Sequence, residues 1–199
     1  MRRPPTDFDA DFFERYYGHA ATRVADERDA ARLVGLVGGI VDYVGVTVRR
    51  ILDAGCGVGL LRAPLLDHYP RARYEGLEVS PFLCAKYGWR QGSLATFAAA
   101  QPYDLVICHD VLQYLDDGAA ARSIANLARL THGALFFSVL TQRDWHHAAD
   151  QSRTDRNVHL RSADWYRRRL KRGFRHLGGG VHLARPLKPI LWELEAPWS

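Results

Sequence analysis

Residues 51–61 read ILDAGCGVGLL. An apolar run leaves through Asp53-Ala54 and meets three glycines, Gly55, Gly57 and Gly59, within five positions. Glycine tolerates positive φ and lets another group approach the backbone closely. An apolar run that breaks into such a turn reads as a strand ending at a strand-to-helix junction. There the next helix offers free N–H groups. The turn is either a plain connection or a cradle for a nucleotide-like ligand, and the surrounding sequence must choose.

Outward from this turn, short apolar runs alternate with helical patterns: LLRAPLLDHY, ARYEGLEV, PFLCAKYG, YDLVICHD, ARSIANLARL and ALFFSVLT. Apolar strands alternating with helices indicate a parallel sheet covered on both faces, a doubly wound α/β fold. Ligands of such sheets bind beyond the carboxyl ends of the strands. Upstream, Phe8–His19 and Thr22–Val44 are expected to be helices, with Gly35, Gly38 and Gly39 calling for close packing. Downstream, Ser162–Arg172 reads as a helix, with Ser162 as N-cap and Gly173 as stop. FRHLGGGVHL and PILWELE follow as two strand-like pieces suited to an antiparallel edge.

The 199 residues, 47% of them hydrophobic, suit one domain. We divide it into an N-terminal helical cap (1–45), a ligand-binding core (46–141) and a substrate-side insertion with the last helix and strands (142–199). No apolar run has the length of a membrane span and no signal-peptide core follows the first residues, so the cytoplasm is the expected location. Cys56, Cys84 and Cys108 are widely spaced, and no CxxC pair suggests a zinc site. The net charge of +5 is concentrated late: residues 151–175 hold nine Lys/Arg against Asp155 and Asp164. That run is a solvated helix face or an anion-attracting surface.

The turn does not match the dinucleotide fingerprint, because Leu60 occupies the place of the third glycine. It does not match a Walker A loop either, because no G-K-[ST] follows. Glu78 ends the next strand, nineteen residues after Gly59. An acid there is placed to accept hydrogen bonds from two ribose hydroxyls.

Together, Asp53-Ala-Gly-Cys-Gly-Val-Gly59, Glu78 and YDLVICHDVLQYL (103–115) resemble the class I S-adenosylmethionine-dependent methyltransferases. The resemblance implies a Rossmann-like, mostly parallel seven-stranded sheet with a C-terminal antiparallel hairpin. It also implies S-adenosylmethionine as cofactor, S-adenosylhomocysteine as product and roles for particular residues. Asp53 would meet the cofactor's amino group. Gly55, Cys56, Gly57 and Gly59 would wrap its methionine portion. Glu78 would hold the ribose and Val79 would pack on the adenine. Ser93 replaces the family's frequent Asp at the adenine amine, and Leu94 would offer its N–H. Cys108, His109 and Asp110 would face the methionine end and the acceptor. Tyr114 would position an acceptor. Tyr16 or Tyr17 would close a lid over the sulfonium, since a cation over an aromatic face is favourable by about 0.5–2 kcal/mol.

Methyl transfer needs alignment and, for some acceptors, a base. The candidates are His109, Asp110 and Tyr114, or His146, His147 and Asp150 beyond the fifth strand. No carboxylate cluster accompanies the His146–His147 pair, so no metal is expected. Arg153, Arg156 and Arg161, with Trp145, Trp165 and Tyr166, suggest an anionic small-molecule acceptor. RRRLKR (167–172) keeps a nucleic-acid or protein acceptor open at lower rank. A non-catalytic binding module ranks lower still, and a nicotinamide dehydrogenase lowest. The oligomeric state is left open.

Overall fold

A computed structural model describes residues 8–18, 26–189 and 191. Seven strands form one sheet in the order β3-β2-β1-β4-β5-β7-β6. They are β1 (Arg50–Ala54), β2 (Arg73–Glu78), β3 (Arg90–Gln91), β4 (Tyr103–His109), β5 (Thr131–Ser138), β6 (Phe174–Gly178) and β7 (Val181–Ala184). The first five pair in parallel, and β7 runs antiparallel to both β5 and β6. The strand order reverses between β1 and β4, so the crevice for a ligand opens at the end of β1, above the glycine turn.

Strand alternation sends one set of side chains to each face. Ile51, Leu105, Ile107 and Phe136 pack against α2 (Glu27–Tyr43) and α3 (Arg62–His68). Leu52, Val106, Cys108, Leu135 and Phe137 pack on the other side with α5 (Asp117–Leu130) and α7 (Ala163–Leu170). The remaining helices are α1 (Ala10–Phe13), which runs into a π turn at Glu14–Gly18, α4 (Pro81–Tyr87) and α6 (Gln142–His147). None of the described helices is long and apolar enough to cross a membrane.

Three local expectations are refined. Helix α2 starts at Glu27 because Asp26 and Asp29 close a capping box, each side chain accepting the other residue's N–H. Of its three glycines only Gly38 is explained by contact: a Cβ there would lie 2.5 Å from the His68 ring, whereas nothing approaches Gly35 or Gly39. The hairpin forms entirely within FRHLGGGVHLA, turning at Gly178–Gly180, all with positive φ. The second strand-like piece, PILWELE, lies mostly outside the described residues. Ser162 caps α7 as expected, its Oγ accepting the Trp165 N–H. That helix ends at Leu170. Gly173 is needed for a close approach, since a Cβ would meet Ala128 Cβ at 2.6 Å.

Candidate functional site

The glycine turn is stitched to β2: Gly55 N–H and Cys56 N–H both donate to Leu77 O, at 2.7 and 3.2 Å. Gly55, Gly57 and Gly59 all hold positive φ, at 80°, 52° and 80°. Their surroundings differ. A Cβ at Gly55 would strike Val111 at 2.5 Å, and one at Gly59 would strike Trp89 at 2.7 Å. Nothing lies within 4 Å of the place a Gly57 Cβ would take. Gly57 therefore faces open space, while its neighbours are pressed into the protein. Trp89 also donates its indole N–H to Gly57 O at 3.0 Å, so it supports the turn from beneath.

Above the turn lies a cleft in two halves. One half is lined by Gly55, Gly57, Glu78, Val79, Gly92, Ser93 and Leu94, by His109, Asp110 and Tyr114, and by Phe8, Phe12, Phe13 and Tyr17 from the N-terminal segment. The other is lined by Asp53, Gly55, Cys56, Gly57, Asp29, His109 and Asp110. Tyr17 borders both halves, as do Gly55, Gly57, His109 and Asp110. Burial pushes its hydroxyl up to about 12, helped by the carboxylates of Asp110 and Glu78. Tyr16 borders neither half and packs at a tilt against Phe12, 4.9 Å between ring centres. Of the two expected lid residues, Tyr17 is the one at the cleft. The segment is fastened by Ser80, whose Oγ donates to Phe8 O at 2.5 Å.

Glu78 is buried and already accepts three N–H groups, from Gly57 at 2.9 Å, Val79 at 2.7 Å and Ser80 at 3.0 Å. Those bonds fix its two oxygens at the cleft floor. Two carboxylate oxygens have about four acceptor sites, so capacity for a further donor remains. Asp53 is buried under the turn, and Tyr74 donates its hydroxyl to it at 2.7 Å. Desolvation raises the Asp53 carboxyl to about 7, the Tyr74 bond opposing and Glu78 adding to the rise. Ser93 opens the turn at the other end of the cleft, its Oγ accepting the Ala95 N–H at 3.3 Å. Asn126 holds that turn by donating to Leu94 O and Phe97 O.

At the end of β4 the alternation decides which residue faces the cleft. His109 does. Cys108 points to the opposite face and is wholly buried in the α5 side of the core, with its thiol pushed up by burial. The expectation that Cys108 lines the cleft is corrected by strand geometry. Asp110 adopts φ 54°, rare outside glycine. Tyr114 lines the cleft and meets Phe8 edge-on, 5.4 Å between ring centres.

His146 and His147 are exposed on α6 and border neither half of the cleft. Among the described residues no cluster of His, Cys, Asp and Glu could hold a metal ion. Arg161 is buried rather than offered to a ligand. It donates to Asp117 Oδ1 at 2.7 Å, to Leu112 O at 3.1 Å, to the Tyr166 hydroxyl at 3.1 Å and to Leu115 O. It thereby clamps the turn that carries Tyr114. Arg153 and Arg156 are exposed and do not line the cleft.

The cleft's charge is therefore one-sided. Asp29, Asp53, Glu78 and Asp110 border it, and none of its described lining residues is Lys or Arg. A pyrophosphate-bearing dinucleotide would meet uncompensated carboxylates there. A ligand carrying a sulfonium and an ammonium would meet opposite charge and aromatic faces.

Comparison with known proteins agrees. Residues 52–135 match the methyltransferase domain family. The malonyl-[acyl-carrier protein] O-methyltransferase of Anoxybacillus flavithermus is 34% identical over 107 residues, 48% of this chain and 40% of that protein. The trans-aconitate 2-methyltransferase of an Azoarcus species is 33% identical over 76 residues, 35% of this chain and 30% of that protein. The chain thus spans less than half the length of these two relatives. Among solved structures, the sugar N-methyltransferase KedS8 of a Streptoalloteichus species superposes with a TM-score of 0.54 at 25% identity, over 67% of this chain and 54% of that one. Sheet order, glycine turn and relatives converge on a likeness to the class I S-adenosylmethionine-dependent methyltransferases, with the methyltransferase-domain match confined to residues 52–135.

Proposed function

We propose that the protein transfers a methyl group from S-adenosylmethionine to a small-molecule acceptor bearing a neutral O–H or N–H. The observation that carries this is the cleft with four carboxylates and no described cation, bordered by Tyr17 on both halves. Its acidity and its open Gly57 suit the cationic cofactor. Glu78 would hold the ribose, Ser93 and Leu94 the adenine edge, and Asp53 the amino group through the turn. Tyr17 and the Phe8–Phe13 aromatics would exclude water. The cofactor supplies an electrophilic methyl on a good leaving group, so the protein's own share is binding, orientation and proton removal.

His109 is the base this geometry favours, because it borders both halves of the cleft. The two curated relatives are named for carboxylic acids, which need no base. An acid acceptor would call for a cation in the cleft, and Arg161 is committed to Asp117 and backbone carbonyls instead. Incubation with methyl-labelled S-adenosylmethionine and panels of amines, alcohols and carboxylic acids tests the reading. Label should enter amines or alcohols and be lost in His109→Gln. Labelling confined to carboxylic acids would refute the neutral acceptor.

A further inference from the structure

Ser138 sits beside His109 in the parallel β4–β5 register, and the two side chains meet. Ser138 Oγ lies 2.5 Å from His109 Nδ1. The same hydroxyl donates to Asp110 Oδ1 at 3.4 Å. Asp110 is brought there by its left-handed backbone, φ 54°, and by its own N–H, which donates to Ser138 O at 3.1 Å. A strained conformation of this kind persists only where neighbours hold it.

A serine hydroxyl has one hydrogen and two acceptor lone pairs. With its hydrogen directed to Asp110, it can only accept at His109. Nδ1 must then carry the imidazole hydrogen, which leaves Nε2 with the lone pair. We propose that Ser138 is a positioning residue that fixes His109 in this tautomer and so makes Nε2 the proton acceptor in methyl transfer.

The inference rests on the function proposed above. As the acceptor's O or N forms its bond to the methyl carbon, the pair of the broken carbon–sulfur bond stays on sulfur. The acceptor's proton passes to His109 Nε2. The resulting imidazolium keeps its Nδ1 hydrogen on Ser138 Oγ, with Asp110 Oδ2 at 3.9 Å as the nearby negative charge. The other ionisable groups bordering the cleft beside His109 are Tyr17 from the N-terminal segment, Asp29 from α2, Asp53 from β1, Cys56 from the glycine turn, Glu78 from β2 and Tyr114 beyond β4.

The first readout needs neither cofactor nor acceptor. Long-range proton–nitrogen NMR on histidine-labelled protein, with His109 assigned by His109→Gln, should show hydrogen on Nδ1. Ser138→Ala should shift the population toward hydrogen on Nε2, and Ser138→Thr should restore the wild-type pattern. The second readout is kinetic: Ser138→Ala should lower kcat at least about tenfold, a part of the usual general-base contribution. Its Kd for S-adenosylhomocysteine should not change, and the limb of its pH–rate profile assigned to His109 should move. Hydrogen on Nε2 in the wild type, or a tautomer indifferent to Ser138→Ala, overturns the proposal. So does a Ser138→Ala effect confined to KM. If the tautomer is as expected but no acceptor is methylated, the functional reading fails, and with it the proton-acceptor role of Nε2, while the tautomer set by Ser138 stands.

Discussion

The hydroxyl of Tyr74 donates to Asp53 Oδ2 at 2.7 Å, so the acid at the end of β1 is buried beside a neutral partner and no described ion pair. Its carboxyl, raised to about 7, is protonated in the ligand-free fold over a range where the unfolded chain is already ionised. The sign follows from linkage. The folded state binds the extra proton, so Asp53 favours folding fully below about pH 4, and this contribution is lost as pH rises toward 7. Over that window it amounts to on the order of 4 kcal/mol. Denaturant titrations from pH 4 to 8 should show it, and Asp53→Asn should flatten that part of the curve. A cationic amino group beside Asp53 favours ionisation, so protection by the cofactor should grow across the same window.

Gly57 and Gly59 share positive φ but not surroundings. Gly57→Ala should lose about 1–2 kcal/mol of stability to the left-handed backbone and still fold. Its methyl would enter the space left for the ligand, so cofactor-induced stabilisation should disappear. Gly59→Ala carries the same backbone cost and also a clash with Trp89. It should therefore melt lower than Gly57→Ala. Melting curves with and without S-adenosylhomocysteine separate the two effects, and equal behaviour would contradict the assignment of Gly57 to the ligand side.

Tyr17 and Tyr16 are neighbours with different exposure to the cleft. Loss of the aromatic face in Tyr17→Ala should weaken binding of S-adenosylmethionine by about 2- to 30-fold, the range of a cation–π contact. Tyr17→Phe should retain most of the affinity and Tyr16→Ala nearly all of it. Isothermal titration of the three variants reads this directly.

Arg161 is a structural clamp. Arg161→Met would leave Leu115 O and the Tyr166 hydroxyl without the guanidinium donor, and Leu112 O with only the Leu115 N–H, and should cost about 2–4 kcal/mol. The loss should appear in denaturant midpoints. Acceptor preference should stay unchanged in whatever fraction remains folded.

The residues legible in sequence were those whose signal is local. The glycine turn, the acid nineteen residues later and the alternation of strands and helices each occupy a short window, and the structure places them together at the β1–β4 switch point. Tyr17 was legible only as one of a pair, because helical spacing cannot tell which ring a π turn directs inward. Cys108 was misplaced because the exact end of a strand decides which face a residue takes. Ser138 gave no signal at all. It lies 29 residues from His109, and only the β4–β5 register brings them into contact. Trp89 and Asn126 were invisible for the same reason, since each supports its loop from a distant element. Arg161 was misread because a basic run does not show which of its members finds buried carbonyls.

The most direct measurement is a thermal melt of the whole chain with S-adenosylhomocysteine or NAD, each at about a hundredfold above its expected Kd. Binding to the native state adds about 2.7 kcal/mol at that excess. For a chain of this size that is a rise of about 5–10 °C. The acidic, cation-poor cleft predicts this rise with S-adenosylhomocysteine, none with NAD, and its loss in Glu78→Ala. A rise with NAD, or no rise with S-adenosylhomocysteine, would contradict the account at its base.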